Sequence, residues 1–182
     1  MKEYIIGKNE AGQRFDKYIF KLLKNAGTGL IFKQLRNKNI VLNGKKAKEI
    51  LKENDSVRIF MSDDTINKFT GGPLHISKTG FRLDVIYEDD DILLASKPVG
   101  VLSQKSSDKD ISMNEYLIEY LTDNGFGKEN LATFKPSFCN RLDRNTSGLM
   151  IAGKSLRGLQ KMSEIIKDRS IHKFYLTIVK GK

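Results

Sequence analysis

One stretch organises the second half of this chain: Phe138-Cys139-Asn140-Arg141-Leu142-Asp143-Arg144-Asn145-Thr146-Ser147-Gly148-Leu149-Met150-Ile151-Ala152. Its polar centre, 140–148, lies between two apolar segments, which is typical of a loop held between two strands. The loop places one carboxylate, Asp143, between two arginines. Because opposite charges at short range favour an ionised carboxylate, we expect Asp143 to be an anion that can act as nucleophile or base. The alternative is a purely structural ion pair.

The sequence on both sides of this loop alternates between strand and helix patterns. Upstream, it predicts the strands Leu83–Tyr87 and Ile92–Ser96 around an acidic turn, a break at Lys97-Pro98-Val99-Gly100, and a helix over about 112–122. Downstream, it predicts a helix capped by Ser155 and a last strand, Phe174–Val179. These elements predict an α+β fold around a mixed or antiparallel sheet.

The first third of the chain has a second, smaller pattern of its own. Apolar side chains at helical spacing predict one helix from Arg14 to Lys24 and another that begins after Thr28, its expected N-cap. The second helix presents a cationic face that includes Lys33 and Arg36. Asn43-Gly44 then predicts a tight hairpin turn, because both turn positions require positive φ.

The positive charge of the chain is concentrated in this first third. Of the net charge of +10, residues 1–61 contribute +8, with 14 Lys and Arg against 6 Asp and Glu, whereas residues 62–182 contribute +2, with 18 against 16. A basic module on a nearly neutral body indicates binding to a phosphate backbone. The alternative is an ordinary lysine-rich surface.

Between these two patterns, residues 62–80 are polar, with Gly71-Gly72-Pro73 near the middle and little apolar periodicity. This composition predicts an irregular linker. We therefore expect two domains, 1–61 and 81–182, joined by residues 62–80.

Composition excludes several classes of function. A single cysteine, Cys139, cannot form an internal disulfide, and the two histidines, His75 and His172, have no metal-ligand spacing. Phosphate-binding glycine loops and the esterase nucleophile motif are absent from the sequence. No apolar run is long enough to cross a bilayer. We expect a cytoplasmic protein that acts without metal, cofactor or membrane.

The first third resembles the αL RNA-binding motif known from a small-subunit ribosomal protein. The resemblance rests on Arg14-Phe15-Asp16, the cationic second helix and the Asn43-Gly44-Lys45-Lys46 hairpin. It implies that structured RNA is held by the basic helix and the hairpin. The side chains expected at the phosphates are Arg14, Lys33, Arg36, Lys38, Lys45 and Lys46.

Three segments in the second half, in order, resemble the RluA-like pseudouridine synthases of large-subunit ribosomal RNA. They are E-D-D-D-I-L-L-A-S-K-P-V-G from Glu88, C-N-R-L-D-R-N-T-S-G-L from Cys139 and K-F-Y-L-T-I-V-K-G from Lys173. The second segment is highly specific, and the other two support it. The resemblance implies an isomerase that modifies ribosomal RNA without a cofactor, in a catalytic domain of which residues 81–182 form the N-terminal part.

The resemblance also implies a role for individual residues. Asp143 would be the catalytic carboxylate that lets the uracil detach, rotate and rejoin through carbon five. Arg141 would fill the space that the flipped uridine vacates. Tyr175 would stack on the uracil or assist proton movement, and Arg144 and Asn140 would also contact the substrate.

Two departures from the family are visible. Asn140 stands where many members have histidine, although its amide can still donate and accept hydrogen bonds. The sequence also stops at Lys182, before the later basic segment that members use in the active site, so we expect a fragment that is weakly active or inactive. The rival interpretation is a non-enzymatic protein that binds structured RNA or the ribosome.

Overall fold

The computed structural model of the chain describes residues 1–45, 49–70, 78–127 and 130–181. Its helices and strands, in chain order, are β1 Lys2–Ile5, α1 Phe15–Leu22, α2 Thr28–Arg36, β2 Ile40–Leu42, β3 Ser56–Ile59, α3 Asp63–Thr70, β4 Asp84–Glu88, β5 Ile92–Lys97, α4 Met113–Asp123, a short 3-10 helix Asn130–Ala132, β6 Ser137–Phe138, β7 Gly148–Gly153 and α5 Leu156–Lys167. Helices combined with antiparallel sheets confirm the predicted α+β class.

The first sheet has the strand order β1-β3-β2, and both pairings are antiparallel. Its tight turn lies at Asn43-Gly44, where both residues have positive φ, 48° and 74°. Leu42 and Lys45 exchange backbone hydrogen bonds of 3.0 and 2.9 Å across it. This geometry is that of a type I′ hairpin turn, so the predicted turn is confirmed.

Helices α1 and α2 bury apolar side chains against the core of this first sheet. The core includes Phe15 and Ile19 of α1 and Ile31 of α2. Helix α2 begins one residue earlier than predicted. Gly27 has extended backbone and takes the N-cap position, whereas Thr28 is already helical. The assignment of Thr28 as N-cap was therefore wrong.

The predicted linker contains a helix that its sequence pattern did not indicate. Helix α3 places Ile66, which is fully buried, in the core of the first sheet. The backbone N–H of Asn25 donates to the carbonyl of Phe69 at 3.0 Å and ties α3 to the first helices. The prediction of irregular structure was wrong over 63–70, because one buried isoleucine and one aromatic give too little periodicity. Residues 71–77 lie outside the described part.

The second sheet has the strand order β4-β5-β7-β6, with every pairing antiparallel. Strands β5 and β7 pair over six residues each, from Ile92 opposite Gly153 to Lys97 opposite Gly148. Helix α4 packs Leu117 and Leu121 into the core on one face of this sheet. The two central strands therefore form a rigid platform, and the predicted Asp143 loop connects β6 to β7 at its edge.

Both helices of the second half begin at a serine N-cap, of which Ser155 was predicted. Ser112 forms a capping box with Glu115 at the start of α4. Ser155 accepts a hydrogen bond of 3.0 Å from the N–H of Gly158 at the start of α5 and donates to the Asp91 carboxylate. The predicted capping by Ser155 is confirmed.

The C-terminal segment 171–181 forms no helix or strand. The prediction of a last strand over Phe174–Val179 was wrong. Leu176 and Ile178 in it are fully exposed, and none of the described strands pairs with it. A strand requires backbone partners in a neighbouring strand, so an alternating apolar sequence does not form one by itself.

Among the described residues, two polar contacts connect the first third of the chain to the second half. The hydroxyl of Thr133 donates to the Glu10 carboxylate at 3.0 Å, where both residues are buried. Lys8 forms an exposed ion pair of 3.1 Å with Asp90. None of the described helices is both long and apolar enough to cross a membrane.

Candidate functional site

The Asp143 loop leaves the second sheet after β6 and returns to it at β7. The N–H of Cys139 donates to the carbonyl of Ile151 at 2.7 Å, which continues the strand pairing up to the loop. The chain then turns back between Asp143 and Thr146, where the N–H of Thr146 donates to the carbonyl of Asp143 at 3.0 Å. The Asp143 side chain is exposed at this turn. Its carboxylate is accessible to a ligand.

Ser103 holds the residue that precedes Asp143. The Ser103 hydroxyl donates to the carbonyl of Leu142 at 2.6 Å and accepts from the N–H of Leu142 at 3.0 Å. Ser103 is only 6% exposed. One buried side chain therefore fixes both backbone polar groups of Leu142.

Gly100 and Lys97 hold the residue that follows Asp143. The carbonyl of Arg144 accepts from the N–H of Gly100 at 2.8 Å and from the Lys97 ammonium at 3.2 Å. In return, the Nε–H of Arg144 donates to the carbonyl of Gly100 at 3.0 Å. Gly100 has φ of 87°, a left-handed conformation that glycine adopts without strain. The backbone is thus fixed on both sides of Asp143.

Lys97 is the buried cation of the site. Its side chain is fully buried, and its ammonium also donates to the carbonyl of Pro98 at 3.0 Å. Burial lowers the pKa of Lys97, and the negative charge of Asp143 acts in the opposite direction. Lys97 therefore supports the loop both through hydrogen bonds and through attraction to the carboxylate.

Asn140 uses its side chain within the sheet. Its amide nitrogen donates to the carbonyl of Leu149 at 3.2 Å, and its amide oxygen accepts from the N–H of Ile151 at 2.8 Å. The amide therefore substitutes for a backbone partner of β7 where the loop begins. A direct contact with a substrate would have to use the remaining hydrogen-bonding capacity of this amide.

The two arginines of the loop differ from the expected ion pairs. Within the described residues, no salt bridge joins Asp143 to Arg141 or Arg144. The Arg144 guanidinium is occupied at Gly100, whereas Arg141 is exposed and has no hydrogen bond to any described residue. The described contacts therefore contain no structural ion pair between Asp143 and a neighbouring arginine.

Tyr175 is not brought to the loop. Its side chain is 66% exposed in the extended C-terminal segment, and it makes no hydrogen bond or ring contact with the described residues of the site. The family pattern predicted Tyr175 at the site as part of a strand over 174–179, and the structure forms no strand there.

The predicted RNA-contacting residues that the structure describes lie on exposed parts of the first third. Lys33 and Arg36 are exposed on α2, and Lys38 follows it with φ of 60°. Lys45 is exposed at the hairpin turn, and Lys46 lies outside the described residues. Arg14 forms an ion pair of 2.7 Å with Asp16, which lowers the pKa of that carboxylate. Its guanidinium is thus partly neutralised.

Ser103 is the site residue that sequence reasoning missed. It follows Val101-Leu102 and begins a polar stretch that continues with Gln104 and Lys105, so its hydroxyl was not a distinctive signal in the sequence. Whether a hydroxyl in such a run faces solvent or a distant loop depends on the fold. Within the described part of the chain, no three His, Cys, Asp or Glu side chains are grouped as metal ligands.

The chain is similar to several curated proteins over nearly its whole length. It is 33% identical, over 93% of its residues, to a ribosomal large subunit pseudouridine synthase C of Rickettsia bellii. It is 32% identical over 98% of its residues to an uncharacterised RNA pseudouridine synthase of Mycoplasma capricolum, and 26% identical over 99% to one of Mycoplasma genitalium. The chain spans 56–59% of the lengths of these relatives.

A solved human structure, RNA Pseudouridylate Synthase Domain Containing 4, is 17% identical and covers 48% of this chain and 30% of its own, with a TM-score of 0.39. That similarity is too low to carry an argument. The family model described as RNA pseudouridylate synthase matches residues 91–182, which is half of the chain and includes the whole Asp143 loop. The chain therefore belongs to the RNA pseudouridylate synthase family.

Proposed function

We propose that the protein isomerises uridines in RNA to pseudouridine and that Asp143 is the catalytic carboxylate. One observation carries this assignment within the family. The Asp143 side chain is exposed, while the backbone of both neighbouring residues is fixed by Ser103, Gly100 and Lys97. A reactive group must be accessible and held in a defined direction, and this loop meets both requirements.

The reaction is an intramolecular rearrangement. The bond between the ribose and nitrogen one of uracil breaks, a new bond forms from carbon five to the ribose, and the proton on carbon five is lost while nitrogen one gains one. No atom or electron is gained overall. Asp143 acts by attack on the ribose or on the base, and both routes use the same carboxylate as nucleophile.

We propose that Arg141 occupies the space left by the target uridine. A base that leaves its stack costs a few kcal/mol, and a side chain that fills the gap offsets part of this cost. Arg141 is exposed next to the catalytic carboxylate, and no described residue holds its guanidinium. In the same proposal, Arg144 and Asn140 shape the loop beside the base, and Tyr175 contacts the uracil once the C-terminal segment folds against the site.

We also propose that residues 1–61 form an αL-type RNA-binding domain, that 62–80 link it to the rest and that 81–182 are part of the catalytic domain. The net charge of +8 in residues 1–61 supports contact with phosphates. Among the predicted cations, Lys33 and Arg36 lie on α2, and Lys45 lies at the hairpin turn that follows it in the chain.

The names of several relatives support large-subunit ribosomal RNA as the substrate. We accordingly place the reaction in the cytoplasm. The carbodiimide-stop primer-extension assay tests this assignment directly on unmodified large-subunit ribosomal RNA. The complete gene product should produce pseudouridine, and the 182-residue chain is assayed beside it.

Asp143→Asn should abolish the product and leave RNA affinity within about two-fold, because only the nucleophilic carboxylate is lost. Asp108→Asn, which changes another exposed aspartate of the second half, serves as the matched control and should keep full activity. If no version forms pseudouridine and all bind RNA, the protein is instead a non-enzymatic RNA-binding protein.

A further inference from the structure

We propose that Ser103 is a positioning residue of this reaction: its hydroxyl fixes the backbone of Leu142 and thereby the direction in which Asp143 presents its carboxylate. This inference rests on the proposed function of Asp143. It adds a residue that lies 40 positions upstream in the sequence and outside the loop itself.

The hydrogen-bond geometry of Ser103 is specific for this task. A hydroxyl has one proton to donate and lone pairs with which to accept. At Ser103 the proton goes to the carbonyl of Leu142 at 2.6 Å, and a lone pair accepts from the N–H of the same residue at 3.0 Å. Two peptide planes, one on each side of the Leu142 Cα, are therefore fixed by one side chain.

Ser103 is itself anchored to a helix. The N–H of Met113, at the start of α4, donates to the carbonyl of Leu102 at 2.8 Å, and Leu102 and Ser112 form a parallel bridge. The capping box of Ser112 and Glu115 holds that helix terminus. Hydrogen bonds therefore connect the start of α4, through Leu102 and Ser103, to Leu142, the residue directly before Asp143.

The hydrogen bonds that hold Arg144 do not replace those of Ser103 to Leu142. Lys97 and Gly100 fix the carbonyl of Arg144, after Asp143. With only this anchor, the peptide plane before Asp143 could rotate and carry the carboxylate with it. Because misplacing a reactive group by 1 Å can cost on the order of 10²-fold in rate, loss of the Ser103 hydroxyl should reduce the rate of the chemical step.

The test is Ser103→Ala in the complete gene product, assayed for pseudouridine formation on the same RNA. We expect kcat to fall about 10- to 100-fold, since the carboxylate is misdirected, while KM changes less than about two-fold, since no RNA contact is removed.

Ser155→Ala is the matched control, because it removes another buried hydroxyl with two hydrogen bonds, at the start of α5. Both variants lose stability, but only Ser103→Ala should lose kcat at a temperature where both are fully folded. If the two variants have equal kcat and the wild-type protein is active, the positioning role is wrong and the proposed function stands. If the wild-type protein makes no product, the proposed function fails first.

Amide hydrogen exchange supplies a readout that is independent of activity. The Leu142 amide should exchange at least about ten-fold faster in Ser103→Ala than in wild type, because its acceptor is lost, and its rate should be unchanged in Ser155→Ala. Unchanged exchange at Leu142 in Ser103→Ala would overturn the inference, whatever the activity.

Discussion

One family pattern assigned both the Asp143 loop and the segment 173–181 to the site. In the structure, hydrogen bonds hold the loop in place, whereas the segment is exposed. The loop is tied by Ser103, Gly100 and Lys97 to parts of the chain that are themselves anchored. Residues 173–180 are exposed, and none of the described strands pairs with them. A motif adopts its functional geometry when its partners are present. Ser103, Gly100 and Lys97, which fix the residues beside Asp143, precede the loop in the sequence.

Lys97→Met should have the largest effect and tests whether the loop depends on its anchors. The carbonyls of Pro98 and Arg144 lose their ammonium donor, and a hydrogen bond to a charged group contributes about 1.5–3 kcal/mol to the free energy of unfolding. The attraction to Asp143 is lost as well, so pseudouridine formation should fall about 10-fold or more. Chemical denaturation and the primer-extension assay measure the two effects.

Lys154→Met is the control for this change. Lys154 is also largely buried and pairs with Glu88 and the carbonyl of Asp89, away from the Asp143 loop. Its loss should destabilise the fold and spare the activity. If both lysine variants retain full activity, the loop does not depend on Lys97.

Gly100→Ala should lower the free energy of unfolding by less than Lys97→Met does. The left-handed backbone at Gly100 costs a residue with a side chain about 1–2 kcal/mol, although nearby space for the new methyl group is open. Thermal unfolding should show this loss. Gly125→Ala has the same conformational penalty beyond the end of α4 and should lower stability equally without a loss of activity. Equal activities of the two variants would show that a side chain at position 100 does not disturb the Asp143 loop.

Tyr175→Ala should change the unfolding free energy of the 182-residue chain by less than about 0.5 kcal/mol, because an exposed side chain loses few contacts. Tyr116→Ala is the comparison, since Tyr116 stacks on Phe81 with ring centroids 4.0 Å apart and should cost about 2–4 kcal/mol. A large loss of unfolding free energy in Tyr175→Ala would show that the terminal segment is packed against the rest of the chain. The Asp143 loop and the terminal segment would then not differ as described.

The pH dependence at Asp110 is the smallest expected effect. Hydrogen bonds from Ser106 and Ser107 lower the pKa of Asp110 from 3.8 to about 2. A carboxylate whose pKa is lower in the folded state stabilises the fold above its unfolded pKa, and this contribution is lost as the pH falls from about 4 to about 2. A titration followed by NMR should find that pKa, and Asp110→Asn should remove this part of the pH dependence. A pKa near 3.8 would contradict these local hydrogen bonds.

Much of the local structure could be predicted from particular residues. Asn43-Gly44 indicated its turn and Ser155 indicated the start of its helix, because each signal acts through its own neighbours in sequence. Helix α3 was missed because its burial depends on packing of Ile66 against helices far upstream. The last strand was predicted wrongly because alternation of apolar residues cannot supply a pairing partner.

The sequence by itself determined that this chain is a basic α+β protein with one carboxylate between two arginines in a family-specific loop, because composition, periodicity and short motifs are local properties. Only the tertiary structure decided what holds that loop. Ser103, Lys97 and Gly100 lie 39 to 47 positions from their loop partners, and no local pattern shows which distant backbone groups a buried hydroxyl or ammonium will meet. Burial makes those hydrogen bonds obligatory, and the fold selects their partners.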